Sequence, residues 1–515
     1  MRAVNVLLSV LVCVVVAALA VEGGLRLLGL GPQPTIHEFD GTLGWRKKPF
    51  AESRRKSGEF DVRFAINELG LRDDPMKDPG KPQGTYRVVF LGDSFVLGYT
   101  VDRENLFVDQ LEDLWQAEGR RVDVINAGTE GWSTDQEVLW YMTQGRNFAA
   151  DLVVLCPYEN DLYWNGQTSY LRYPKPRFNA DGKLERRTLL NPGPIPQTDQ
   201  WATTRLWKLV SSPPPRWEHA GRTGLEMEWG AYFHEPPAFM GEAYLRTRGA
   251  LLALKNFVAD TGGYLRVAPI PSKASIEPAA RAALARRVRV DPAAWSADEP
   301  VDTFLELCRE LSIPALDARD ALRREAADGA SLYFEKDWHF NEAGNRAFAG
   351  FLHEALDRED VFPAAFAAVR PAELPPPVRP GGLPGWAKLY LGLLAALSVL
   401  YALTYRDEPL WVAPLKVGAL LGLVFAIAIG GGRLLALVPA PWSNALLFMF
   451  VGGLVMFILY KLGRRLGTIA ELFLAFTRRG HWYLMPLVIV LLTIGSLLVV
   501  AASSPLIAPF IYTLF

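Results

Sequence analysis

Cysteine is scarce in this chain of 515 residues, which holds only three: Cys13, Cys156 and Cys308. Their spacing forms neither a metal-ligand set nor a disulfide framework. Cys13 lies inside an apolar run, so only Cys156 and Cys308 are placed to pair, and nothing in the sequence says that they do. An excess of either charge is also lacking. Lys and Arg number 54 against 55 Asp and Glu, for a formal net charge of -1. No basic stripe stands out from that balance, which argues against nucleic acid as a partner. Histidine is sparse too, at six residues. Five of them, His37, His219, His234, His353 and His481, have no motif around them and read as surface or packing residues.

Apolar sequence is plentiful and comes in blocks. The first, Val4 to Ala20, follows Arg2 and ends on Ala18-Leu19-Ala20, a small-x-small cleavage pattern. Apolar character resumes through Leu25 to Leu30, which favours an uncleaved anchor over a signal peptide. Val12 is too large to precede a lipidated Cys13. Further blocks crowd the C-terminal quarter: Trp386 to Tyr405, Val417 to Gly430, Ala445 to Tyr460 and Tyr483 to Ala502. The first is long enough to cross the hydrocarbon at about 1.5 Å per residue. Between the last two lie Lys461, Arg464, Arg465, Arg478 and Arg479 against the single acid Glu471, so that loop is expected in the cytoplasm. Counting back through four spans and an N-in anchor puts the loop on the same side. The middle domain and the tail from Ser503 to Phe515 then face away from the cytoplasm, with the lipid bilayer as a partner.

Between the apolar blocks, strand-like runs alternate with helical text. The strands expected are Tyr86 to Leu91, Val122 to Asn126, Leu152 to Cys156, Tyr264 to Pro269 and a weaker Ile313 to Leu316. Helices are expected at Phe107 to Gln116, Glu137 to Gln144, Glu242 to Asp260 and Asp302 to Leu311. Such alternation implies parallel βαβ units with helices on both faces. The stretch from Trp164 to Phe239 is too long for an ordinary connection and is rich in proline and aromatics, among them Trp201, Trp207, Trp217 and Trp229. Its aromatic faces suit sugar rings, with Trp164, Trp201 and Trp207 as candidate substrate contacts. Equally, they suit a small satellite core or a membrane surface. The organisation expected is an anchor or signal at 1–30, an extension at 31–85 packing on the next domain, and a globular domain at 86–370. A proline-rich linker at 371–385 and a membrane region of about four helices at 386–515 complete it.

Four short blocks carry the chemistry. The first strand runs Tyr86-Arg87-Val88-Val89-Phe90-Leu91 and breaks into Gly92-Asp93-Ser94, delivering a serine to a strand's carboxyl end, where ligands bind in parallel sheets. After the second strand comes Asn126-Ala127-Gly128-Thr129-Glu130-Gly131, and after the third Tyr158-Glu159-Asn160-Asp161. Near the domain's end stands Asp337-Trp338-His339-Phe340-Asn341. In this order, each after its strand, the four blocks resemble those of the SGNH (GDSL-type) hydrolases over roughly residues 86–356. The resemblance implies that Ser94 is a nucleophile, His339 its general base and acid, and Asp337 the group orienting the imidazole. It also implies an oxyanion hole made by the backbone N–H groups of Ser94 and Gly131 and the side-chain amide of Asn160. Gly131 holds the family position, five residues after Asn126. Were the last block extended, Asp337 and His339 would face the same side. Asp93 and Asp161 are expected to hold loops, and Asn341 to cap a helix.

Two departures narrow the resemblance. Tyr158 stands where the family usually has glycine, and a single residue, Trp338, separates Asp337 from His339. That spacing, with Val267-Ala268-Pro269-Ile270-Pro271-Ser272-Lys273 after the fourth strand, is similar to the SGNH-like O-acetyltransferases of exopolysaccharide pathways. The last residues, from about Ile469, resemble a small uncharacterised bacterial membrane family. The fold expected is α/β: a flavodoxin-like three-layer sandwich with a parallel sheet of about five strands, an N-terminal membrane anchor and a C-terminal α-helical transmembrane region. The function expected is a membrane-anchored serine esterase acting outside the cytoplasm on an O-acylated glycan or other ester, with no metal or cofactor. O-acyl transfer to an exported polysaccharide is the first alternative. A non-catalytic subunit docking membrane partner proteins is the second.

Overall fold

The computed structural model describes residues 35–193 and 216–369 with short gaps, and parts of 18–26, 201–204 and 385–425. The chain divides into two units. The larger comprises residues 33–194 and 214–380. It opens with two antiparallel hairpins, β1 (His37–Asp40) with β2 (Gly44–Lys47), and β3 (Glu52–Lys56) with β4 (Asp61–Ala65).

Its centre is a parallel sheet of β5 (Tyr86–Gly92), β6 (Val122–Asn126), β7 (Leu152–Cys156) and a fourth strand at Tyr264–Val267, in the order Tyr264–Val267, β7, β5, β6. Both faces are covered, so β7 and the Val88–Leu91 part of β5 read as apolar runs, and both strands are buried along their whole length. Phe90 points to one face, where it meets Phe107 at 6.0 Å, and Phe107 meets Phe348 at 5.0 Å. The helices Phe107–Ala117 and Glu342–Arg358 form that layer. Val89, Leu91, Val153 and Leu155 point the other way, into a core with Val138, Leu251 and Leu254 from helices Thr134–Thr143 and Ala238–Asp260. Alternation along each strand thus builds the three layers.

The expected fifth strand at 313–316 is reduced to one bridge, Val267 to Ala315. The Val267 N–H donates to the Pro314 carbonyl at 3.1 Å, and the Leu316 N–H donates to the Val267 carbonyl at 2.8 Å. The next rung would need an N–H at residue 314, which proline lacks. The Arg266 guanidinium donates to the stranded Leu265 carbonyl instead, at 2.9 Å. The sheet therefore has four strands. Cys156 and Cys308 are both buried and unpaired.

The smaller unit comprises residues 1–32, 195–213 and 381–515. The segment expected as the first C-terminal span coincides with a helix over Gly385–Thr404. No helix among the described residues is long and apolar enough to cross a membrane. The spans expected at 445–460 and 483–502, most of the N-terminal run and the proline-rich linker lie outside the described residues, and 417–430 does so in large part.

Candidate active site

The strand-to-helix turn after β5 sets the position of Ser94. Asp93 caps the one-turn helix Ser94–Leu97, its carboxylate accepting the Phe95 N–H at 2.8 Å. Ser94 is thereby the first helical residue, whose N–H has no acceptor within the helix. The neighbouring turn packs close beneath: a Cβ on Gly128 would lie 2.2 Å from the Leu97 nitrogen, so only glycine fits.

His339 comes from the far end of the domain. Residues 332–341 form a tight loop in which Phe340 bridges back to Tyr333 and the Asn341 N–H donates to the Leu332 carbonyl at 3.1 Å. The segment is bent rather than extended, so Asp337 reaches His339 through a turn and not across a strand face. Asp337 Oδ1 accepts both the His339 backbone N–H at 2.9 Å and the ring Nδ1–H at 2.6 Å. A carboxylate only accepts, which places the ring proton on Nδ1 and leaves Nε2 bare. Ser94 Oγ lies 2.7 Å from that nitrogen and donates to it; the alternative acceptor, Asp93 Oδ2, is farther at 3.3 Å. Asn341 caps the helix that follows, accepting the Gly344 N–H at 3.0 Å.

Burial pulls the His339 imidazole down, but the charge and hydrogen bond of Asp337, with Asp93 and Glu130 behind them, outweigh it. Its pKa lies above the ordinary imidazole value. Burial pushes Asp93 up to about 6, against the Phe95 N–H and His339. The His339 ring is sandwiched, stacked on Tyr99 at 5.1 Å and resting against Phe95 at 4.7 Å.

Gly131 and Asn160 follow β6 and β7, the two strands flanking β5. Gly131 adopts φ +73, and a Cβ there would lie 2.8 Å from the Tyr170 ring. Its turn is held from outside: Trp45 donates its indole N–H to the Glu130 carbonyl at 3.0 Å, and Lys47 donates to Thr129 Oγ1 at 2.8 Å. Asp161 accepts the Thr134 N–H and hydroxyl at 3.1 and 2.9 Å, tying the turn after β7 to the helix after β6. The Ser94 and Gly131 N–H groups donate to no other group among the described residues, and the Asn160 side chain makes no hydrogen bond there, its Oδ1 buried without a partner. Three free donors thus stand at the carboxyl ends of three adjacent strands.

The aromatic candidates separate. Trp164 packs edge-on against Tyr170 at 4.7 Å, beside the Gly131 turn, and its indole N–H donates to Glu228 at 2.6 Å. Trp201 is exposed and belongs to the smaller unit, and Trp207 lies outside the described residues. Trp229 joins Leu225, Tyr232 and Trp295 in a satellite core against which Trp217 packs. Part of the insertion is therefore core and not groove. Sequence reasoning passed over Lys47, Glu59 and Tyr99, which carry no motif and come from the extension or from the turn after the helix Ser94–Leu97. Away from this site, Glu118, His353 and Asp357 form a grouping of possible metal ligands. Arg120 donates to both carboxylates, at 2.9 and 2.8 Å, and supplies the compensating charge itself.

Residues 239–389, which include the His339 loop, match the family described as an SGNH hydrolase-like domain, acetyltransferase AlgX. Over those residues the match supports an SGNH hydrolase-like domain with AlgX-like acetyltransferase features. Residues 466–515 match a family of unknown function. No curated protein matches the chain. Among solved structures, the acetyl xylan esterase AlAXEase is similar at 11% identity and TM-score 0.30, over 52% of this chain and 99% of that one. A G-D-S-L family lipolytic protein of Veillonella parvula is similar at 14% identity and TM-score 0.28, over 53% and 100%. A lipase/acylhydrolase of Enterococcus faecalis is similar at 13% identity and TM-score 0.29, over 53% and 97%.

Proposed function

We propose that this chain is a membrane-tethered serine esterase that cleaves O-acyl esters of an envelope or secreted glycan outside the cytoplasm. The observation that carries the reading is the hydrogen-bonded series Ser94–His339–Asp337 beside three unengaged donors. Ser94 Oγ adds to the ester carbonyl carbon while Nε2 of His339 takes its proton. The carbonyl oxygen gains a negative charge, which the Ser94 and Gly131 N–H groups and the Asn160 amide stabilise. The C–O bond to the alcohol breaks, and His339 returns the proton to the leaving oxygen. Asp337 keeps the ring in its tautomer and stabilises the imidazolium. Water, deprotonated by His339, then releases the acid and restores Ser94. The anchor run, the C-terminal apolar blocks and the basic 461–479 loop support tethering and an outward-facing domain.

Transfer of the acyl group is a second reading, favoured by the match of residues 239–389 to an acetyltransferase domain. A sugar hydroxyl then replaces water in the second step, and Trp164 beside the Gly131 turn is the described tryptophan placed to meet it. Labelling of the full chain by a fluorophosphonate, with Ser94→Ala as control, tests for the nucleophile. Labelling at Ser94 supports the reading, and its absence overturns it. Turnover of p-nitrophenyl acetate then separates the two outcomes. Free acetate as sole product with added oligosaccharides supports hydrolysis, and an acetylated sugar identified by mass spectrometry supports transfer.

A further inference from the structure

The β3–β4 hairpin reaches from the N-terminal extension to the loop that bears Asp337 and His339. At its tip, Ser57 Oγ accepts the Glu59 and Phe60 N–H groups at 3.0 and 3.1 Å, fixing the turn. Phe60 is buried against Phe334, with ring centroids 5.6 Å apart. Next to it the Glu59 carboxylate accepts the Lys336 N–H at 3.0 and 3.1 Å and the Asp337 N–H at 3.0 Å. These amides are the loop's own, directly before the group that orients the imidazole. From the neighbouring strand, the Arg55 guanidinium lies 4.1 Å from the centre of the Tyr99 ring, which also stacks on His339. Arg55 also pairs with Glu130, the residue before Gly131.

We propose that Glu59 is a positioning residue for the Asp337–His339 pair. The proposal rests on the serine-hydrolase reading for its rate consequence only. A bent loop of this kind has no ladder to hold its amides. A carboxylate accepting two successive N–H groups fixes the peptide plane from which the Asp337 side chain projects. The charged groups facing His339 are Asp337, Asp93 and Glu130. Glu59 acts one step behind them, through the Asp337 backbone.

The full chain supplies two readouts. In Glu59→Ala, fluorophosphonate labelling of Ser94 is expected to slow at least tenfold, with the pH midpoint of labelling moved to lower pH as the Asp337–His339 bond loosens. Glu59→Gln, whose carbonyl oxygen can take the Oε2 place and accept both amides, is expected to recover most of the rate. Arg54→Ala breaks an exposed ion pair with Asp61 on the same hairpin and serves as the control for general destabilisation. It is expected to leave rate and midpoint unchanged. Amide hydrogen exchange in peptides covering 335–340 is the second readout, with at least tenfold acceleration expected in Glu59→Ala alone. Wild-type rate and midpoint in Glu59→Ala, or unchanged exchange of that peptide, would overturn the positioning role. Failure of the wild-type chain to label would instead overturn the hydrolase reading, and exchange would still decide the role of Glu59.

Discussion

Replacing Asp337 by asparagine removes one negative charge while keeping the side chain's shape. Asp337 Oδ1 serves two donors at once, the His339 ring at 2.6 Å and its backbone N–H at 2.9 Å. Turning the asparagine NH₂ toward them would set donor against donor. The carbonyl oxygen therefore stays in place, the Nδ1–H tautomer survives, and the NH₂ falls where the buried Oδ2 has no partner among the described residues. What is lost is the charge. A hydrogen bond to a charged group contributes about 1.5–3 kcal/mol, against about 0.5–1.5 for a neutral one. Since Asp337 is the main group raising the His339 pKa against burial, the variant's midpoint should fall. Catalysis needs the neutral imidazole, so activity in the wild type is lost as pH falls through a midpoint above the ordinary histidine value. In Asp337→Asn the surviving activity should persist to lower pH. Weaker stabilisation of the imidazolium should cost about 10²-fold in rate, short of the roughly 10⁴-fold that follows when the tautomer flips. The pH profile of the second-order labelling rate, or of kcat/KM for p-nitrophenyl acetate, reads both quantities. A midpoint unmoved by the substitution, with a rate within about threefold of wild type, would refute this account of the triad.

Asn160→Ala should lower kcat by about 10²–10³-fold. Because the Asn160 amide engages nothing else among the described residues, the thermal midpoint should hardly move; a large stability loss would mean that the side chain is structural. Gly131→Ala should both destabilise the domain, by about 1–2 kcal/mol for the left-handed backbone, and slow labelling, since the added methyl meets Tyr170. Denaturant melts and labelling rates check the pair, and a variant unchanged in both would contradict the turn geometry. Cysteines introduced in the 461–479 loop should resist impermeant thiol reagents in intact cells. Their modification from outside would overturn the proposed sidedness.

The sheet was largely legible because fully buried parallel strands must be apolar along their length. Val88–Leu91 and Leu152–Cys156 announce themselves in that way, and Arg87 in the same strand is buried and paired with Asp123. The edge at 313–316 misled, since its apolar residues surround a proline that cannot close the next rung. Ser94, Asp337 and His339 were legible through short blocks in which turn chemistry and reactive groups coincide. The route by which Asp337 meets His339 was not, because an Asp side chain folding back on the N–H two residues later leaves the same letters as a strand. The extension was silent for another reason. Glu59 acts on backbone N–H groups, which every residue but proline presents, so no partner identity marks it in the sequence. The insertion's tryptophans divide between core and site only through packing, as Trp229 and Trp164 show.

The bond from Asp337 to Glu59 closes a loop of 278 residues. The entropic cost of closure rises slowly with length but must be met before such a contact gives anything back, and chains rich in remote contacts fold slowly. Ser94 is synthesised early, yet His339, Asp337 and the Glu59 that braces their loop come together only after residue 339 has been made. On the serine-hydrolase reading proposed above, a nascent or truncated chain ending short of that point carries the hydroxyl without any means of activating it. Reactivity would then be a late product of folding, arriving with the completed domain and not with Ser94.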